Sequence, residues 1–124
     1  RNVQIIADDA TVTDAVRIRA AAAAGACNAV LMKPNQNGTV TGARAAMDAA
    51  REVGWDVVIS ARSGETEDVS IVHMAVGWGI AQLKVGSFTR SERMAKWNEG
   101  LRIADFAPCG AALPDRKGFI WAKP

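Results

Sequence analysis

Four apolar runs punctuate the chain, and each is succeeded by a polar turn and then a longer stretch of helical character. Val3-Gln4-Ile5-Ile6-Ala7 leads into Asp8-Asp9, Ala29-Val30-Leu31-Met32 into Lys33, Val57-Val58-Ile59-Ser60 into Ala61-Arg62-Ser63, and the shorter Ala81-Gln82-Leu83 into Lys84. Aliphatic and β-branched runs without strict alternation predict strands buried on both faces. The stretches between them predict helices. Thr13 is positioned to cap a helix over Ala15 to Ala24, with Gly25 as its stop. Asn37-Gly38-Thr39 precedes a helix ending near Gly54. Thr66 precedes Glu67 and Asp68, acids suited to a helix N-terminus. Thr89-Arg90-Ser91-Glu92 has capping-box spacing ahead of a helix reaching about Ala104.

Alternating strands and helices imply an α/β fold, a parallel sheet with right-handed crossovers. Strand starts recur about every 25 residues, room for one helix each. An open doubly wound sheet and a piece of a (β/α)₈ barrel both satisfy this pattern. A whole barrel takes about 200–250 residues, so four units amount to half of one. After Asp105 the pattern dissolves. The segment Phe106–Pro124 holds three of the four prolines and two glycines. The expected organisation is therefore a barrel portion over residues 1–105 and an irregular tail over 106–124.

Composition narrows the class. Of 124 residues, 49% are hydrophobic and 23% charged, which fits a globular domain and not a disordered one. A net charge of +2, with Lys and Arg spread along the chain, provides no field to gather nucleic acid or an anionic membrane. No apolar run nears the roughly 18–20 residues that span a bilayer. The chain begins at Arg1 and enters an apolar run at once, which suggests a piece of a longer protein. Cys27 and Cys109 lie far apart without metal-ligand spacing, so both are expected to be reduced thiols in a cytoplasmic protein.

The chemistry lies in the polar residue that ends each run. Asp8, Lys33, Arg62 and Lys84 all stand where a strand ends and a βα-loop begins, the edge at which α/β folds bind ligands. A lysine after a strand is usually only a solvated loop residue. Four charged residues in phase are harder to dismiss. Three cations and one acid converging on one pocket call for an anion held together with a metal ion.

These residues also carry a family resemblance. Asp8-Asp9-Ala10-Thr11-Val12-Thr13, Leu31-Met32-Lys33-Pro34-Asn35-Gln36-Asn37-Gly38-Thr39, Ser63-Gly64-Glu65-Thr66-Glu67-Asp68, Gln82-Leu83-Lys84-Val85-Gly86 and the segment Arg90–Asn98 resemble the enolases, in register over about residues 2–105. The resemblance implies the C-terminal half of a TIM-type (β/α)₈ barrel, about four βα units. It implies Mg²⁺-dependent interconversion of 2-phosphoglycerate and phosphoenolpyruvate. On it, Asp8 matches one of three carboxylates that hold Mg²⁺, and Lys33 matches the base that removes the α-proton. Lys84 matches the lysine that binds the substrate carboxylate, and Arg62 and Ser63 the pair that binds phosphate. The chemistry needs these types: removing a proton α to a carboxylate builds an enediolate dianion that metal and ammonium groups must stabilise. A lysine base has to be neutral when it acts, which nearby cations such as Lys84 and a metal favour. Arg62 offers a planar fork to phosphate oxygens, and Gly64 permits close backbone approach.

The sequence departs from the family in three ways. Enolases carry histidine where Ala61 stands. The other two metal carboxylates and the glutamates that assist loss of hydroxide belong to segments before Arg1, so this piece alone is expected not to turn over substrate. The tail matches no familiar enolase end. The one histidine, His73, falls within a helix and is expected to serve packing or the surface, with a relocated catalytic group as the alternative. A non-catalytic or divergent enolase-like binder of another carboxylate or phosphate anion is the competing function. Two raw strand edges require cover from the remainder of the barrel or a second copy, and the resemblance implies a homo-oligomer.

Overall fold

The alternating runs form a parallel sheet in the order β1-β2-β3-β4, each strand hydrogen-bonded to its sequence neighbour. The computed structural model describes residues 3–107 and 114–122. The strands are β1 (Ile6–Ala7), β2 (Ala29–Met32), β3 (Asp56–Ser60) and β4 (Gln82–Lys84). The helices are α1 (Ala15–Ala23), α2 (Pro34–Asn37), α3 (Val40–Glu52), α4 (Ser70–Gly77) and α5 (Ser91–Phe106). A doubly wound sheet reverses its strand order at a switch point. Here the order never reverses, so the arrangement is that of half a (β/α)₈ barrel.

The core lies between the sheet and its helices. Val30, Met32, Val57, Ile59 and Ala61 project from one face and join Ile18 of α1, Ala43, Ala46, Met47 and Ala50 of α3, and Ile71, Val72 and Ala75 of α4. Small residues on α3 let that helix approach the sheet closely. On the opposite face Leu31, Val58 and Ser60 are buried too, as the unalternating runs predicted.

Several local expectations shift by a residue or a turn. β1 is only two residues long, because the Asn28 side chain takes the place of a partner strand before it: its Oδ1 accepts from the N–H of Ile5 (2.6 Å) and its amide donates to the carbonyl of Val3 (2.9 Å). Asp14, not Thr13, caps α1, accepting from the N–H of Arg17 at 2.9 Å. Gly25 comes after the helix at φ 64, a left-handed conformation that glycine adopts without strain. Thr39 caps α3 as expected, accepting from the N–H of Gly42 at 3.0 Å. A β-carbon on Gly42 would overlap the Asn37 amide, so glycine there lets the end of α2 fold against α3.

α4 starts at Ser70, past Glu67 and Asp68. The Asp68 carboxylate instead accepts from the N–H and hydroxyl of Ser70, and these bonds hold its pKa below the usual value. No capping box forms at α5. The Thr89 hydroxyl lies 2.8 Å from that of Ser87, and the cap residue Arg90, at φ 70, makes no side-chain capping bond.

α5 ends at Phe106, and short 3₁₀ turns occupy Arg116–Gly118 and Ile120–Ala122. Gly118 and Phe119 border a small cleft with Arg51, Trp55 and Asp56 at the N-terminal end of β3, opposite the loops that leave the strands. Cys27 is a half-buried free thiol, while Cys109 lies outside the described residues. Among the described residues no helix is long and apolar enough to cross a membrane.

Candidate active site

Register decides which side chains share a face. Ile6 pairs with Ala29, Leu31 with Val58, Val58 with Gln82, and Ser60 with Lys84. Side chains alternate along a strand. Positions 6 and 8, 31 and 33, 60 and 62, and 82 and 84 therefore fall on one side of the sheet, the side away from the helix-packed core. Asp8 and Lys33 each stand one residue past their strands, Arg62 two past β3, and Lys84 closes β4. A further bond, Ala61 N–H to the Lys84 carbonyl at 3.0 Å, keeps the β3 and β4 exits together.

The four sequence-predicted charges come together. The Lys33 ammonium donates to Oδ2 of Asp8 at 2.8 Å and lies 2.6 Å from Oδ1. Lys33, Arg62, Ser63 and Lys84 all line one open cleft of about 620 Å³, with Asp9 and Arg90 on its rim. Asp8 does not line it directly and joins it through Lys33. Cations outnumber acids around the cleft, so its field favours an anionic ligand. Ala61 is also at this cleft, yet its methyl belongs to the buried core and is only 4% exposed.

A second set of residues, within the enolase-like segments but given no role by the sequence, fixes this geometry. The loop before α1 clamps the loop after β2. Thr13 is fully buried; its hydroxyl accepts from the Lys33 N–H (2.9 Å) and donates to the Gln36 side chain (3.0 Å), and its carbonyl accepts from the Asn37 amide (3.0 Å). Val12 and Thr13 take positive φ of 44 and 55, rare for β-branched residues, so these bonds hold a strained turn in place. α5 does the same for the loops after β3 and β4. The Arg93 guanidinium donates to the carbonyls of Val85 (2.9 Å) and Ser63 (3.1 Å). Arg and Lys at helical spacing ordinarily read as a solvated face, which is why these contacts left no sequence signal.

A family model described as the enolase C-terminal TIM barrel domain matches residues 1–113. The chain belongs to the enolase family. It is 45% identical to Enolase 1 of Desulfitobacterium hafniense (strain Y51) over 122 residues, which cover 98% of this chain and 28% of that protein. It is 52% identical to the enolase of Neorickettsia sennetsu and 50% identical to that of Mastigamoeba balamuthi, each over 103 residues, or 83% of this chain and 25% and 24% of those proteins. This enolase-family chain thus spans about a quarter of the length of the curated relatives it matches. The family match runs on past residue 105, where the periodic pattern stops.

The resemblance implies Mg²⁺, and Asp8 suits a part of its site. Oδ1 of Asp8 is buried and, apart from the Lys33 ammonium 2.6 Å away, has no polar partner, so in place of that contact it would offer lone pairs to a hard cation. Among the described residues no group of three or more His, Cys, Asp or Glu gathers as a metal site, and Asp8 alone would supply a single ligand. His73 is away from the cleft: half-exposed on α4, it sets Nε2 2.8 Å from Oε1 of Glu99 on α5.

Proposed function

We propose that the full-length protein is an enolase-type lyase that reversibly dehydrates 2-phosphoglycerate to phosphoenolpyruvate. The observation that carries this reading is the common sheet face of Asp8, Lys33, Arg62 and Lys84 above one cation-rich cleft. In it, Lys33 removes the proton α to the carboxylate from the cleft wall. Lys84, on the neighbouring strand end, pairs with the substrate carboxylate as charge builds there. Arg62 takes the phosphate in a two-pronged contact, and the Ser63 hydroxyl adds a further donor. In the ligand-free protein Asp8 holds Lys33 in place through their ion pair; with the carboxylate turned to the metal instead, Lys33 would be released to act as the neutral base. Bound Mg²⁺ would supply the charge that stabilises the enediolate. The remaining metal carboxylates and the group that assists hydroxide loss are assigned to the rest of the protein, so the 124-residue piece is expected to be inactive alone.

The test is an assay of the full-length protein for 2-phosphoglycerate dehydration with and without Mg²⁺. Metal-dependent turnover supports the reading, and no turnover in either condition removes it. Work in glycolysis, a cytoplasmic location, a homodimer and the division into a barrel portion 1–105 and a tail 106–124 belong to the same proposal.

The exposed strand edges supply a second test. Among the described residues β1 and β4 each have a strand partner on one side only, and Ile5 and Ile6 are exposed near the β1 edge. Such edges recruit other strands. Light scattering on the isolated 124 residues is expected to show self-association, and a stable monomer would argue against a half barrel that needs cover.

Ala61 favours the alternative, a divergent protein binding another carboxylate or phosphate anion. It too has a test. If 2-phosphoglycerate is the substrate, Ala61→His, with its ring turned out of the packed core into the cleft that Ala61 borders, is expected to lower its KM by about threefold to tenfold through one added hydrogen bond. The same change should cost about 1–3 kcal/mol of stability, because the site of the methyl is already packed. An unchanged KM in a folded variant would support the divergent reading.

A further inference from the structure

Lys96 stands on α5 with only 1% of its side chain exposed. Its ammonium donates to the carbonyls of Thr66 (2.8 Å) and Glu92 (3.0 Å) and lies 3.1 Å from Oε2 of Glu65. The other oxygen of that carboxylate, Oε1, accepts from the backbone N–H of Arg62 at 2.6 Å and from the Asn35 amide at 3.2 Å. One carboxylate therefore ties together α5, the loop leaving β3 and the segment two residues beyond Lys33. The Glu65 side chain is itself 9% exposed, so its charge is shielded from water and depends on Lys96.

A well-packed apolar pair fills such a space at lower desolvation cost than two ions. An apolar pair cannot, however, fix a backbone N–H. The Arg62 amide is the group that this carboxylate holds, and it belongs to the residue whose side chain reaches the cleft. Arg93 acts beside it on the Ser63 carbonyl, from the same helix.

We propose that Glu65 and Lys96 are positioning residues, an enclosed ion pair that sets the Arg62-Ser63 backbone so that both side chains meet an anion bound across from Lys33. The inference rests on the reading of Arg62 and Ser63 as the phosphate-binding pair. Neither Glu65 nor Lys96 touches the substrate. Their effect passes through the loop alone, and it should weaken anion binding far more than proton removal.

The test uses the full-length protein, 2-phosphoglycerate as substrate and inorganic phosphate as competing anion. Glu65→Gln keeps the shape but sets an amide against the buried ammonium, or against the Arg62 N–H. Its KM for 2-phosphoglycerate and its inhibition constant for inorganic phosphate are both expected to rise about tenfold, with kcat within about threefold of wild type. Lys96→Met should give the same split. The double variant should be no worse than the worse single, because both act through one carboxylate. Unchanged KM and phosphate inhibition in either folded variant, or effects that simply add, would overturn the proposal and leave a merely structural pair. A wild-type protein without turnover would instead remove the reading underneath. One measurement needs no variant: amide hydrogen exchange of ligand-free protein should find the Arg62 N–H protected like the interior of β3, and exchange at open-loop rates would also overturn the proposal.

Discussion

Lys33→Ala in the full-length protein is expected to lower kcat for 2-phosphoglycerate by about 10³-fold or more while changing KM far less. The split comes from where the amine sits. Lys33 lies one residue past β2, on the side of the sheet that also carries Arg62 and Lys84, with its side chain 13% exposed and its ammonium against Asp8. Substrate anchoring is assigned to the other cations, so an alanine at 33 leaves those contacts in place and removes only the group that accepts the proton. Lys84→Ala is the informative contrast, since loss of a carboxylate contact should appear in KM as well as in kcat. Removing Lys33 also strands the Asp8 carboxylate, so circular dichroism must accompany the assay to separate lost chemistry from lost fold. Unchanged turnover by folded Lys33→Ala would end the assignment of Lys33 as base.

The parts of this fold legible in the sequence are those set by burial and period. Strands covered on both faces leave unbroken aliphatic runs, and β2 and β3 fall where Ala29–Met32 and Val57–Ser60 predicted them. The site charges were legible for the same reason, since a strand end fixes where the next polar residue goes. Local polar chemistry was less so. Asp14 and Thr13 are both competent caps; Asp14 won because Thr13 is drawn into the Lys33–Gln36 loop. The capping box before α5 failed because Ser87 engages Thr89 first. The short α2, with Pro34 at its start, was hidden in what read as loop. The Glu65–Lys96 pair was least legible, because a buried lysine and a solvated one have the same letter and the same helical spacing. Only tertiary packing distinguishes them.

Ile59→Ala is expected to cost the protein about 2–5 kcal/mol, a large share of the roughly 5–15 kcal/mol that holds a domain folded. Ile59 is wholly buried and pairs with Met32 on one side and Leu83 on the other. Its side chain belongs to the core cluster shared with α3 and α4, so truncation opens a cavity among groups that cannot readily close it. Ile59→Val, which removes one methylene, should cost only about 0.5–1.5 kcal/mol. Val16→Ala on α1 should cost less than about 0.5 kcal/mol, because Val16 is 73% exposed. Urea denaturation of the full-length variants would rank the three, and equal midpoints for Ile59→Ala and Val16→Ala would refute the packing account. Function should track the same order. β3 is bonded on both sides, to β2 below Lys33 and to β4 below Lys84, so a looser β3 frees both lysines to drift. A misplacement of about 1 Å is enough to slow chemistry about 100-fold, and folded Ile59→Ala should therefore lose kcat even though it touches nothing in the cleft.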